Sequence, residues 1–190
     1  MIQNGKLIIV AAPSGAGKTT IVKHILKTFP ELSFSVSATT RNMRQGEVEG
    51  KDYYFLSEQE FKNRIANDEF IEWEMVYVGK YYGTLKSELH RVWNNNQHII
   101  FDVDVEGGIH IKNKYPNNSL SVFIKPPSLE ILKQRLTDRN TESTESLNER
   151  VSKAEHELSF ASQFDAIIVN DDLQKALKET EMLIQDFLKN

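Results

Sequence analysis

Apolar residues along this chain fall into two rhythms. Three runs are continuously apolar or nearly so: Lys6 to Ala11, His98 to Val103 (HIIFDV) and Leu120 to Lys125. Their length and branched composition predict strands covered on both faces. Elsewhere apolar positions recur at helical spacing. Ile21, Val22, Ile25, Leu26 and Phe29 predict a first helix, closed by Pro30. Ser57-Glu58-Gln59-Glu60 is a capping box that opens a helix through about Asn67, and a further helix runs from about Leu85 to Asn94. Ser128 caps a helix that carries Arg135 and Arg139. A second box, Ser146-Leu147-Asn148-Glu149, opens a long helix reaching about Phe160. Ala166 to Val169 reads as a last short strand, Asn170-Asp171-Asp172 as a turn, and Leu173 to Leu188 as a closing amphipathic helix.

Buried strands alternating with helices indicate an α/β fold with a doubly wound parallel sheet covered on both faces. The segment from 34 to about 92 has another texture. Ser33 to Ala38 (SFSVSA), Asp52 to Leu56 and Phe70 to Val78 (FIEWEMVYV) have the composition of amphipathic strands, and Gly79-Lys80-Tyr81-Tyr82-Gly83 reads as a tyrosine-bearing turn. These suit a small mixed sheet inserted into the core. The expected division is a core of about 1–33, 93–127 and 155–190, an insertion of about 34–92, and a charged lid segment of about 128–154, all within one domain.

Composition narrows the class of function. The 190 residues hold 23 basic and 27 acidic side chains, a formal charge of −4. An acidic chain makes a poor nucleic-acid surface, so a polyanionic ligand would need a local concentration of Arg and Lys. The absence of Cys removes disulfides and thiolate metal sites and fits a reducing compartment. Met1 leads straight into the first strand, leaving no room for a signal peptide, and no apolar run has the length of a membrane span. A cytoplasmic protein with no membrane partner is expected.

Between the first strand and the first helix stands Ala12-Pro13-Ser14-Gly15-Ala16-Gly17-Lys18-Thr19-Thr20. Strand, glycine-rich turn, Gly-Lys-Thr and helix form the arrangement of a phosphate-binding loop. Glycines let successive N–H groups converge on one phosphate at the positive end of the helix dipole. Lys18 adds a mobile cation for the β- and γ-phosphates, and the Thr19 hydroxyl can ligate Mg²⁺. The usual pattern opens with Gly where this chain has Ala12. Alanine resists positive φ, so the loop is expected to begin in an ordinary conformation.

The remaining motifs identify a family. Together with the phosphate loop, Ser37-Ala38-Thr39-Thr40-Arg41, Arg44, Gly46-Glu47, Gly50-Lys51-Asp52-Tyr53, Phe70-Ile71-Glu72-Trp73, Tyr81-Tyr82-Gly83-Thr84 and Val169-Asn170-Asp171-Asp172 resemble guanylate kinase over nearly the whole chain. The resemblance implies a P-loop kinase fold with a parallel core, a GMP-binding insertion and a helical lid. It implies transfer of the γ-phosphoryl group of ATP to GMP, with Mg²⁺ as cofactor and ATP and GMP as the small-molecule partners.

Phosphoryl transfer between nucleotides is mostly positioning and charge stabilisation. The acceptor phosphate is already anionic, so no general base is demanded, and each of the five histidines is expected to be solvated or capping. Glu72 is expected to read the base, because guanine presents N1–H and a 2-amino group side by side and one carboxylate accepts from both. By resemblance Ser37 and Thr84 contact the O6 side, and Asp104 takes the remaining amino proton. Arg41 and Arg44 offer planar donors to the GMP phosphate, with Tyr53 and Tyr82 as neutral ones and Tyr81 packed on Tyr82. The loop from Ala12 to Thr20 serves ATP. Arg135, Arg139 and Arg150 resemble the lid arginines that neutralise transition-state charge, and Asn170 lies where the family contacts adenine. Lys18, Arg41, Arg135, Arg139 and Arg150 form the catalytic set. Thr19 and, through water, Asp102 are the metal candidates, although Asp102 also suits an orienting pair with a basic side chain. Asn140 replaces the glycine usual after the second lid arginine, and Glu106 stands where Gln is frequent, without an assigned role. The competing readings are a guanylate-kinase-like protein-interaction module without catalysis and a phosphate-loop kinase for another small acceptor. The intact loop argues against the first, and the complete set of guanine-facing residues argues against the second.

Overall fold

Five parallel strands form the core of the structure, a computed structural model that describes residues 5–137 and 144–190. In chain order they are β1 (Leu7–Ala11), β2 (Leu32–Phe34), β7 (His98–Val103), β8 (Ser119–Lys125) and β9 (Ala166–Val169), arranged β2-β7-β1-β8-β9. β1 is buried at every position because it is paired on both sides, with Val10 level with Asp102 on one neighbour and Val122 on the other. Its alternate side chains divide between two layers, as a strand's must. Ile8 and Val10 join Ile21, Val22 and Ile25 of α1 (Lys18–Thr28), Leu132 and Leu136 of α5 (Leu129–Thr137) and Ala176, Leu177 and Ile184 of α7 (Leu173–Lys189). Leu7 and Ile9 pack with Leu89 and Val92 of α3 (Lys86–Asn94) and Ile111 of α4 (Val105–Lys114).

A second sheet of four strands, β4-β3-β6-β5, is mixed: β3 (Ala38–Thr39) runs parallel to β4 (Tyr54–Phe55) and antiparallel to β6 (Lys80–Leu85), which is antiparallel to β5 (Phe70–Tyr77). Its small core of Ala38, Phe61, Phe70 and Leu85 is closed by α2 (Glu58–Ala66). Ser57 caps that helix by accepting from the Glu60 amide at 3.1 Å, as the capping box predicts.

Four local readings differ from the structure. The stretch from Ser33 to Ala38 is two strands in two sheets. The Ser35 amide still donates to Ile100, but the Val36 amide turns to the Glu88 carboxylate, and the chain leaves the core ladder there. The tyrosine-bearing segment is β6, and only Gly79, with φ of +72°, serves the turn. Tyr81 and Tyr82 therefore face opposite sides: Tyr81 packs on Phe61 and Trp73, and Tyr82 on Tyr53, so the two are not packing partners. Gly107 and Gly108 lie inside helix α4, which Asp104 caps by accepting from the Gly107 amide at 2.7 Å. Helix α6 (Thr144–Ser159) already contains Ser146, so the second capping box does not mark its start. Asn140, like Arg139, lies outside the described residues.

Candidate active site

The phosphate loop leaves the end of β1 and enters α1 through two left-handed glycines, Gly15 (φ +90°) and Gly17 (φ +94°). Ala12 is buried against the core, and among the described residues positive φ outside glycine occurs only at Asp68 and Asn96, so alanine is accommodated at the loop's start. Gly17 has a second reason to lack a side chain: a Cβ there would stand 2.3 Å from Asn170 Nδ2. That buried amide donates to the Ala16 carbonyl at 2.7 Å and props the loop from the end of β9.

Lys18, the first residue of α1, folds its ammonium onto the end of β7. It pairs with Asp102 at 2.7 Å and donates to the Val103 carbonyl. Asp102 is thus paired with a basic side chain. Thr19 is exposed at the helix start. No cluster of three or more His, Cys, Asp or Glu poised to hold a metal occurs among the described residues.

Beyond the loop opens a cleft of about 420 Å³ between the two sheets. The loop from Ala12 to Thr20 contributes one wall, with Asp102 and Asp104 at the end of the core sheet; Glu72 and Tyr82 of the second sheet, with Ser37 and Tyr53 just before β3 and β4, contribute the other. Thr84 lies opposite Glu72 in the β5–β6 ladder and donates its hydroxyl to Glu72 Oε1 at 2.7 Å. Glu72 is 9% exposed. Burial pushes its pKa up to about 7, against the pull of the Thr84 hydroxyl. A Cβ on Gly107 would stand 3.0 Å from both Glu72 Oε2 and Asp104 Oδ1, so the glycine keeps room where the two carboxylates converge.

The arginines divide. Arg41 forms a two-pronged pair with Glu47, at 2.7 and 2.5 Å, and lies over the Tyr53 ring at 4.7 Å. This raises the Arg41 pKa, chiefly through the bonds to Glu47, and holds Glu47 well below the usual range through the same bonds. Arg44 stands on the adjacent exposed loop, its amide donating to Glu47. Neither lines the cleft wall directly; Arg41 stands against Tyr53, which does. Arg150 of α6 does line it. Arg135 of α5 faces a second cavity of about 380 Å³ on the far side of the loop, with Gly15, Gly17, Thr20, Asn170, Asp171 and Leu173, and donates to the Asn170 carbonyl at 3.1 Å. Arg139 lies outside the described residues.

Several cleft residues carry no motif. Glu74 and Val76 share the Glu72 face of β5, and Lys153 and Glu157 follow Arg150 along one face of α6. Those spacings were readable, but only once Glu72 and Arg150 were known to face one cavity. Glu74 bonds to Asp104, and this contact and then burial raise its pKa. Burial works against Asp104, but Glu74 and the Gly107 amide outweigh it and keep its pKa low. Burial likewise raises Glu157 to about 7, opposed by Lys153. None of the five histidines lines either cavity: His24 pairs with Glu181, and His98 accepts the Lys6 amide.

This geometry has relatives. A family model described as Guanylate kinase matches residues 4–187. A guanylate kinase of Bacteroides thetaiotaomicron is 49% identical, covering 97% of this chain and 90% of its own length. That of Porphyromonas gingivalis is 48% identical, at 96% and 98%. The crystal structure of guanylate kinase from Anaplasma phagocytophilum superposes with a TM-score of 0.78 at 27% identity, covering 98% of this chain and 87% of that one.

Proposed function

The chain belongs to the guanylate kinase family, and from that premise we propose how its residues carry out the reaction, transfer of the γ-phosphoryl group of ATP to GMP to give ADP and GDP. Loop amides from Ser14 to Thr20 and the Lys18 ammonium hold the ATP phosphates, with Asp102 keeping Lys18 aimed at the cleft. The adenosine side occupies the second cavity, where Asn170 and Arg135 stand. GMP lies along the main cleft. Glu72 accepts from N1–H and the 2-amino group, Asp104 from the amino group's other proton, and Ser37 and Thr84 serve O6. Tyr53, Tyr82, Arg41 and Arg44 receive its phosphate, Glu47 holding the Arg41 plane ready for it.

Arg150 from one side of the loop and Arg135 from the other neutralise charge that spreads over the transferring group, with Arg139 as the third member. Thr19 and, through water, Asp102 would hold Mg²⁺, which would supply charge neutralisation on the ATP phosphates. The setting is guanine nucleotide metabolism in the cytoplasm; among the described residues no helix is long and apolar enough to cross a membrane.

One observation carries this reading: a buried carboxylate, Glu72, with its Thr84 partner, faces the same cleft as the lysine-bearing phosphate loop. The test is ADP production by Glu72→Gln. Losing a charge-assisted contact of about 1.5–3 kcal/mol should lower GMP efficiency roughly ten- to a hundredfold. Unchanged GMP kinetics would remove Glu72 from the role.

A further inference from the structure

Glu88 is a buried carboxylate that phosphoryl transfer does not use. It stands in the first turn of α3 and is 1% exposed. Its Oε2 accepts the Val36 amide at 2.7 Å and its Oε1 accepts the Tyr54 hydroxyl at 2.9 Å. Arg91, one turn on, donates Nε to Oε1 at 2.9 Å and Nη2 to Oε2 at 2.8 Å, and the same Nη2 reaches the Phe34 carbonyl at 2.7 Å. Burial alone would push Glu88 towards the neutral acid, but Arg91, the Val36 amide and the Tyr54 hydroxyl outweigh it and leave the pKa lowered. The positive end of α3 acts in the same direction.

The places gripped by this carboxylate are informative. Phe34 ends β2 in the core sheet, Val36 lies in the crossover to the second sheet, and Ser37 follows it. Tyr54 begins β4, directly after Tyr53, and its amide donates to the Ser37 carbonyl at 2.9 Å. Ser37 and Tyr53 both line the cleft. We propose that Glu88 is a positioning residue for GMP: by holding Val36 and Tyr54 together, it fixes the separation between Ser37 at the base end of the nucleotide and Tyr53 at the phosphate end, while Arg91 ties that assembly to the core at Phe34. The inference rests on the assignment of Ser37 and Tyr53 to GMP. A clasp that served the fold alone would affect both nucleotides equally. This one bears on the second sheet, where GMP lies, and not on the loop that holds ATP.

Steady-state kinetics on the full chain test it, with GMP and ATP varied separately and melting followed in parallel. Glu88→Gln keeps the shape but turns an amide donor towards Tyr54 or Arg91. It should raise KM for GMP about tenfold, with KM for ATP within about twofold of the parent. Tyr54→Phe removes one arm and should raise KM for GMP about threefold to fivefold, and the double variant should fall short of the product of the two. Equal rises for both nucleotides, or an unchanged KM for GMP in folded variants, would overturn the proposal. Should Glu88→Gln fail to fold, Tyr54→Phe decides by the same criterion. Ser37→Ala and Tyr53→Phe separate the two layers of inference. If these leave KM for GMP unchanged, the site assignment falls. If they raise it and the clasp variants do not, only the clasp falls.

Discussion

Glu72 stands where a carboxylate is unfavourable, and this gives it a measurable signature. Its pKa in the folded protein is about 7 against an ordinary 4.5, because burial disfavours the charge. The native state therefore holds an extra proton between those values, and stability declines as pH rises through that window. Glu72→Gln should remove the decline and stabilise the protein at pH 8 by on the order of 1–3 kcal/mol, with little gain at pH 4.5, as urea titrations at the two pH values would read. The same ionisation bears on binding. Only the carboxylate accepts both guanine donors, so KM for GMP should rise as pH falls from 8 to 6, and that rise should vanish in the variant. Gly17 makes an independent prediction. Alanine there meets a positive φ and a contact at 2.3 Å with the amide that props the loop. Gly17→Ala should cost about 1–3 kcal/mol of stability and weaken ATP more than GMP. Residue types with a chemical reason in a motif, such as Lys18 and Glu72, were readable in the sequence. Glu74, Lys153 and Glu157 were not, because a lone acidic or basic residue on a strand or helix is ordinarily solvated, and only the folded cleft shows what they face.

The helices and strands that announced themselves did so through caps and runs. The Ser57 box delivered α2, and Asp172 caps α7 by accepting from the Lys175 amide at 2.8 Å. Ser57→Ala should lower stability by about 1 kcal/mol in thermal or urea melts and leave kcat unchanged, since α2 covers the second sheet away from the cleft. The elements that stayed hidden did so for local reasons. Helix α4 carries two glycines in its first turn, placed there because Gly107 abuts Glu72 and Asp104 and Gly108 packs against Ala11, Phe164 and Ile9. Only Asp104, three residues before Gly107, signalled a helix start. Period-two patterning runs unbroken through β2 and β3, so nothing in Ser33 to Ala38 revealed that Glu88, fifty-two residues away, draws the Val36 amide out of the core ladder. At β6 the glycines at 79, just before it, and 83, within it, suggested one continuous turn. Only the first is in a left-handed conformation; the second makes room for β5, where a Cβ would lie 2.7 Å from the Glu72 carbonyl.

At the scale of the molecule, two sheets of different construction meet at one cleft. The parallel sheet delivers the phosphate loop, Asp102 and Asp104 at its carboxyl ends, as open α/β sheets do. The mixed sheet delivers the residues assigned to GMP, and α6 brings Arg150, Lys153 and Glu157 to the same space. Enzymes that transfer phosphoryl groups must exclude water, so the second sheet and α6 are expected to close on the core when both nucleotides are bound. Small-angle scattering should show a smaller radius of gyration with GMP and a non-hydrolysable ATP analogue together than with either alone; identical profiles would contradict closure. The division into two sheets was legible from the change in strand texture after Phe34, whereas the point where the chain crosses between them was not.

In the proposed reaction a lysine-bearing loop presents the terminal phosphate of ATP to a purine chosen by a buried glutamate. ADP release measured with Mg-ATP and, in turn, GMP, AMP and UMP addresses it most directly, with Lys18→Met and Glu72→Gln alongside. The expected result is rapid turnover with GMP and not with AMP or UMP, loss of turnover in the lysine variant with GMP binding retained, and a roughly ten- to a hundredfold fall in GMP efficiency in the glutamate variant. ATP left unconsumed in the presence of GMP, or equal turnover with AMP, would contradict it.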